Sequence, residues 1–574
     1  MNLSDQAARG VADPTLATLL SAHWERTLAD APVWATRLGD RRRDGELGDP
    51  SGAHARETSA FYADLRLRLA TIDPGPLSVA DRLTHEVLGH ELEVARVIEH
   101  HAAPWSWAIS TYEKAVTFVN ELHEQHPVVT EADGASLIAR YLAVPGWVDA
   151  HVGALREGLA AGRVAPAPPT ARVVEMLDEQ LRGPLPDWTV MVPATQERAW
   201  EPAAQARFAE GLGAAVASAV APALHRYRRF LVEELLPRAR GETQLGARFL
   251  PDGDAAYQAF VLQHTSLDLP AAQIHQLGLE SLAEIHAELA VLGERCFGVR
   301  ERSALFRRLR EDPALRFTTA EEVERTAIDA LARAGAAVPR CFGRLPRTPC
   351  VVRRVPDYQA PYTTIAYYRP PGAVGGADPA PGEYMINTSA PETRPRFEAE
   401  ALAFHESVPG HHLQIALAME EADLPAFRRY GLQNAYIEGW ALYTERLADE
   451  LGLYSGDLDR IGMLSFDTWR AARLVVDTGI HHLGWNRGQA VAFMLENTPL
   501  AENNIRNEVD RYVSWPGQAL GYKLGQRCLM RLRDEARAAQ GSTFSLAGFH
   551  DAFLALGPVP LRVLERQIRA WMLR

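Results

Sequence analysis

The chain has 574 residues, 47% of them hydrophobic and 23% charged, with a formal net charge of −13 at pH 7. That length has room for two to four ordinary domains or one large catalytic unit, and the composition is that of a soluble globular protein with a sizeable core. An acidic balance with no long Lys/Arg block argues against a nucleic-acid partner, and no uncharged run of 18 apolar residues is present, so no membrane span is expected.

The first residues, MNLSDQAARGVADPTLATLL, lack the basic segment and long apolar run of a signal peptide. Cys296, Cys341, Cys350 and Cys528 are scattered without metal-type spacing, which points to a reduced, cytoplasmic protein. Long amphipathic helices are then expected through PTLATLLSAHWERTLAD, LTHEVLGHELEVARVIEHH, ARFAEGLGAAVASAVAPALHRYRRFLVEELLPRA and AAQIHQLGLESLAEIHAELAVLGERC. Asp13-Pro14, Leu269-Pro270 and Thr318-Thr319 mark helix starts, and APAPPT at 165–170 reads as a loop or soft boundary. Within the second of these helices, His85-Glu86 and His90 imitate a peptidase spacing. Five residues put the two histidines about 140° apart on a helix, so they face apart and read as structural. His100-His101 receives the same reading.

TPCVVRRVPDYQAPYTTIAYYRPPG and GEYMINTS alternate β-branched and aromatic residues around a Pro/Gly-rich turn, predicting a small sheet or hairpin over roughly 348–388. From about 397 the pattern is helical again. The chain therefore reads as mainly α, with one small β element immediately before the stretch HESVPGHH at 405–412.

That stretch departs from His-Glu-x-x-His, whose two histidines lie about 6 Å apart along one helix face. His405 to His411 is six residues, about 240° around; His405 to His412 is seven, about 10 Å along. Neither pair chelates one ion on an unbroken helix. Pro409 cannot donate to the His405 carbonyl, and Gly410 tolerates unusual backbone angles, so a kink or bulge there can carry a late histidine back towards His405. The competing reading is that His405 and Glu406 end one helix while His411 and His412 begin another. Glu438, 33 residues past His405 in YIEGWALYTERLADELG, is a candidate third ligand that leaves a position open for water; Glu445, two turns later, can steady a ligand from behind. RLVVDTGIHHLGW (473–485) and RYVSWPGQALGYKLG (511–525) add Arg473, Asp477, His481, His482, Tyr512, Gln518 and Tyr522, groups that bind or polarise substrates.

HESVPGHHLQ, EGWALYTERL, DTGIHHLGW and PGQALGYKLG resemble, in order and spacing, the bacterial domain-of-unknown-function family numbered eight-eight-five. That family looks like a relative of the Taq-type carboxypeptidases and, more distantly, of the thimet-oligopeptidase and angiotensin-converting-enzyme zinc peptidases. The resemblance is strong over about 345–574 and extends over nearly the whole chain. Its signature, HExxPGHxxQ, falls on His405, Glu406, Pro409, Gly410, His411 and Gln414, which favours His411 over His412 as ligand. It implies a two-lobed helical body around a deep cleft, with the short sheet lining one wall, as a single catalytic unit over 1–574 whose metal-site and cleft helices occupy 397–574. The expected function is zinc-dependent hydrolysis of short peptides. One Zn²⁺ per chain would be held by His405, His411 and Glu438, with Glu406 as general base. Tyr522 and His481 would stabilise the oxyanion; Arg473, Tyr512 and His412 would bind substrate; Glu445 and Gln414 would stand behind the ligands. A homodimer is within these expectations. The alternatives are a non-catalytic binder of peptides or metabolites and a metal-dependent hydrolase of another amide or ester.

Overall fold

The computed structural model describes residues 3–111, 115–356, 360, 364–372 and 380–573. Helices begin where short polar side chains can take up the free N–H groups of a first turn. Asp13 accepts the Leu16 N–H ahead of the helix Pro14–Asp30, and Thr319 accepts the Glu322 N–H ahead of Ala320–Ala337. Helix α1, Ala271–Phe297, starts directly after Pro270. The 165–170 stretch departs from the expected loop, because a helix runs over Ala167–Arg182. Pro166 caps it and Pro168 and Pro169 fall in the first turn, where a missing N–H costs nothing.

The β-rich region forms a three-stranded sheet: β1, Cys350–Arg354; β2, Ala366–Arg369; and β3, Gly382–Ile386. The strand order is β1-β3-β2, with β1 parallel to β3 and β2 antiparallel to it. The most buried strand is therefore central, and among the described residues β2 has one edge without a partner strand. One face of the sheet (Tyr384, Ile386) packs with Ala330, Ala334, Ala403 and Phe404. The last two belong to the short helix α2, Ala399–Glu406, so the sheet backs the helix that ends in His405-Glu406.

Helices follow: α3, His411–Glu420; α4, Asn434–Glu450; α5, Asp457–Thr478; α6, Glu502–Ser514; and α7, Gly521–Gln540. α5 lies along α1, and α7 lies along α4. The second pair approaches so closely that a Cβ on Gly439 would sit 2.4 Å from the Cα of Gly525. Two glycines of the recurrent motifs, EGW and YKLG, thus bring the backbones of α4 and α7 together. One hydrophobic core joins N-terminal residues such as Leu16, Leu20 and Trp24 to Trp440, Leu529 and Phe553 of the C-terminal helices; a second is built from residues between 33 and 235. Among the described residues no helix is long and apolar enough to cross a membrane.

Candidate metal centre

The Pro-Gly step breaks the helix outright. α2 ends at Glu406, residues 408–410 form a turn, and α3 starts with His411. The two readings of HESVPGHH are reconciled by this geometry: one helix ends, another begins, and His405 and His411 still meet. Their rings lie 4.8 Å apart at 87°. The turn is fastened from α4, where the Trp440 indole N–H donates to the Pro409 carbonyl at 3.0 Å.

Glu438 stands two residues before Trp440 on the same helix, and its Oε2 is 3.7 Å from His405 Nε2 and 3.5 Å from His411 Nε2. All three ligand atoms lie within 4.8 Å of one another. Ligands held about 2.1 Å from a tetrahedral zinc stand about 3.4 Å apart, so these separations fit a His-His-Glu set. Glu438 Oε2 is buried and has no hydrogen-bond donor, as an atom aimed at a cation would. Among the described residues this is the one trio of His, Cys, Asp or Glu side chains arranged to hold a metal ion.

Behind the trio, His405 donates its Nδ1–H to Glu445 Oε1 at 2.8 Å. That bond keeps Nδ1 protonated and turns Nε2 towards Glu438, the nitrogen a cation would take up. Burial works against a charged His405, but Glu438 and Glu445 outweigh it and lift the ring to about 9. Burial likewise opposes ionisation of Glu438, yet the two histidines hold its carboxyl well below the usual range. A cation entering here must displace a proton from His405. Glu406, half-buried, has its carboxyl raised first by burial and also by Glu438, with His405, His411 and Arg470 pulling the other way. Tyr522, on α7, packs its ring against Arg470 and Arg473 and is near enough to Glu438 to feel its charge. Burial and the Glu438 charge raise its phenol, so it is an O–H donor at neutral pH.

Other expected site residues are committed elsewhere. His412 donates from Nε2 to the Thr348 carbonyl (3.0 Å) and accepts at Nδ1 from the Tyr368 hydroxyl (3.0 Å). It is a neutral tie between α3 and the sheet, burial having pushed it down to about 4, and not a substrate contact. His481 accepts from the Ala247 N–H (2.9 Å) and meets the Tyr512 carbonyl (2.8 Å), so no ring N–H is left for an oxyanion. Burial takes it down to about 3. Tyr512 is also no substrate group: its hydroxyl donates to Glu508 and accepts from Trp469 and Arg473. Gln414 is buried with its side-chain oxygen unpartnered and makes no hydrogen bond to a ligand. The decoy at 85–90 is structural, with His85 on the Leu69 carbonyl and Glu86 paired to Arg566.

A residue absent from the expected set lies on α5. Asp467, Arg470, Arg473 and Asp477 follow one another at spacings of three, three and four, one helix face, and none is more than 5% exposed. Asp467 takes salt bridges from Lys523 and Arg446, and Arg473 one from Glu508. Asp477 accepts from the Tyr257 hydroxyl (2.6 Å) and the Gly517 N–H (3.1 Å). Arg470 has no such partner, although the charges of Glu445, Glu438 and Glu406 reach it. The regular spacing of buried charges was the signal that marks it.

Asp477 also supports a pH prediction. Burial pushes its carboxyl up to about 7, the two hydrogen bonds opposing. The folded state therefore keeps a proton that the unfolded chain, at its ordinary value of about 3.9, has lost. Stability should fall as pH rises from about 4 to about 7 and level off above. In Asp477→Asn this slope should be shallower, so that the variant gains on the wild type with rising pH in thermal melts between pH 5 and 8.

A mainly helical body with a small sheet and a buried His-His-Glu trio at a helix break defines the class. The chain belongs to the family described as bacterial protein of unknown function (DUF885), whose profile matches residues 32–568. It is similar over 97% of its length to a solved structure described as the "putative lipoprotein" from Colwellia psychrerythraea, covering 99% of that chain at 26% identity with a TM-score of 0.89. A "putative lipoprotein of unknown function" from Shewanella oneidensis shares the fold, at 18% identity and a TM-score of 0.73, over 96% of this chain and 99% of that one. Among curated proteins none matches the chain.

Proposed function

We propose that the chain is a metal-dependent hydrolase of short peptides, with one zinc ion held by His405, His411 and Glu438. The observation that supports this most directly is the convergence of those three ligand atoms within 4.8 Å of one another, with Glu406 the next residue after His405. The resemblance of that family to zinc peptidases agrees with it. When bound, zinc would supply a Lewis acid and acidify water at the open position.

The chain's own groups would do the rest. Glu406 takes a proton from the attacking water, whose oxygen bonds to the acyl carbon, and returns it to the nitrogen as the amide C–N bond breaks. The Tyr522 O–H donates to the carbonyl oxygen as negative charge develops there. Glu445 holds His405 in the required tautomer. The unpaired edge of β2 offers main-chain groups to an extended peptide. A non-catalytic binder would have no use for a carboxylate beside the ligands.

The reading keeps a cytoplasmic setting, suggested by four unpaired cysteines. The descriptions of the two solved relatives favour a secreted or membrane-anchored one instead; fractionation of cells producing the full-length protein decides between them.

Metal analysis tests the centre itself. Purified protein should carry about one zinc per chain, and His405→Ala and Glu438→Ala should each lose it. Chelation should abolish hydrolysis of a mixed peptide library. A metal-free wild type whose activity ignores chelators would sink the proposal.

A further inference from the structure

α5 buries more positive charge than its surroundings neutralise. Arg470, 5% exposed, is stacked on Phe466 (4.6 Å from the ring centre) and Trp469 (4.2 Å) and lies 5.9 Å from the Tyr522 ring. Its Nε and Nη1 are buried without a hydrogen-bond partner. Arg473 shares the same indole at 4.5 Å and covers Tyr522 at 4.4 Å. It donates from Nε to Tyr512 and from Nη2 to Glu508, but its Nη1 is also buried and unpartnered. Glu508 is shared, since Arg511 donates to it from Nε and Nη2. Two guanidinium groups, Arg473 and Arg511, therefore share one carboxylate, and Arg470 beside Arg473 has none hydrogen-bonded to it.

The remaining acids in range serve other partners. Glu398 accepts from Ser465 and is pushed up to about 7, first by burial. Glu445 is bonded to His405, Glu438 faces both histidines, and Glu406 stands beside them. With a divalent cation in place those three carboxylates are its counter-charge. Leaving a buried guanidinium N–H unsatisfied is costly, so such groups mark a place where an anion arrives.

We propose that Arg470, with Nη1 of Arg473, forms a carboxylate-binding site, and that the carboxylate is the free C-terminus of the peptide being cleaved. A planar fork of donors matches a carboxylate, and flat packing on Trp469 holds the fork in place. The site lies close to the metal centre: Tyr522 packs against both guanidiniums and feels the charge of Glu438. Holding the C-terminal carboxylate beside the metal centre would favour bonds near the end of the chain over internal ones. This rests on the hydrolytic reading above, but the anion site can be tested without turnover.

The probes are acetyl-alanyl-alanyl-phenylalanine, its C-terminal amide, and an amide-blocked analogue ending in a glutamyl residue. Calorimetry on the zinc-loaded, Glu406→Gln protein should show the free acid binding about 10- to 100-fold more tightly than the phenylalanyl amide, as expected for hydrogen bonds to a charged group. In the wild type, Arg470→Met should raise KM for the free acid by a similar factor, leave the amide unaffected and keep the metal content; Arg470→Lys should recover part of the loss. Equal binding of acid and amide overturns the site, and needs no Arg470 variant to be folded. Equal weakening of both ligands in Arg470→Met overturns it too. Tight binding of the glutamyl amide overturns the assignment to the C-terminus. If the free acid is preferred but wild type hydrolyses nothing, the carboxylate site stands and the peptidase reading falls.

Discussion

A Glu406→Gln protein is expected to hold metal as the wild type does and to lose about 10²- to 10⁴-fold of its peptide hydrolysis. The glutamine keeps the shape of the side chain and removes only its capacity to accept a proton. Glu406 is well placed for that role. It follows His405 at the very end of α2, is half-buried, and forms no salt bridge among the described residues, so its carboxylate is not consumed by structure. Burial and Glu438 raise its carboxyl while the histidines and Arg470 restrain the rise, the direction that makes a carboxylate a stronger base. Metal content by elemental analysis and product formation by chromatography separate the two effects. Retained turnover would remove Glu406 as the base. Loss of metal together with activity would make it a ligand or a structural acid instead.

The trio His405, His411 and Glu438 was legible because each lies in a local pattern: a histidine and glutamate at one helix end, a Pro-Gly break, and a periodic helix carrying the acid. Helix starts at Asp13 and Thr319 and the β-rich stretch before α2 were legible for the same reason, since caps and alternation are short-range signals. What short-range patterns do not carry is the partner of a buried polar group. His412 is tied to Thr348 and Tyr368, 64 and 44 residues away, and His481 to Ala247 across 234. A dense run of polar residues announces that such groups will be buried and must pair, without saying with what. The same limit explains Arg470 and Arg473. Their residue types promise an anion, but only the packed structure reveals that Glu508 occupies one and that the other lacks a partner.

The break between α2 and α3 is itself open to a severe test, because Gly410→Ala should cost both metal and fold. A Cβ there would lie 1.9 Å from the His405 carbonyl oxygen, 2.4 Å from that of Phe404 and 2.5 Å from the His405 carbonyl carbon. All three are backbone atoms, so no flexible side chain can yield; the two helices must move apart. His411 follows Gly410 directly, and zinc tolerates ligand displacements of only about 0.2 Å. Metal affinity, measured by competition with a chelator, should fall by about 100-fold or more, more than the loss of a typical supporting hydrogen bond. The metal-free variant should also be less stable than metal-free wild type by about 3 kcal/mol, the upper range for overpacking. Gly335→Ala is the matched control: it lies inside the helix Ala320–Ala337, and its Cβ would meet nothing within 4 Å. There the substitution should be neutral or stabilise by about 0.5–1 kcal/mol. Wild-type zinc affinity in Gly410→Ala would show that His411 reaches the ion without the close approach of the two helix ends.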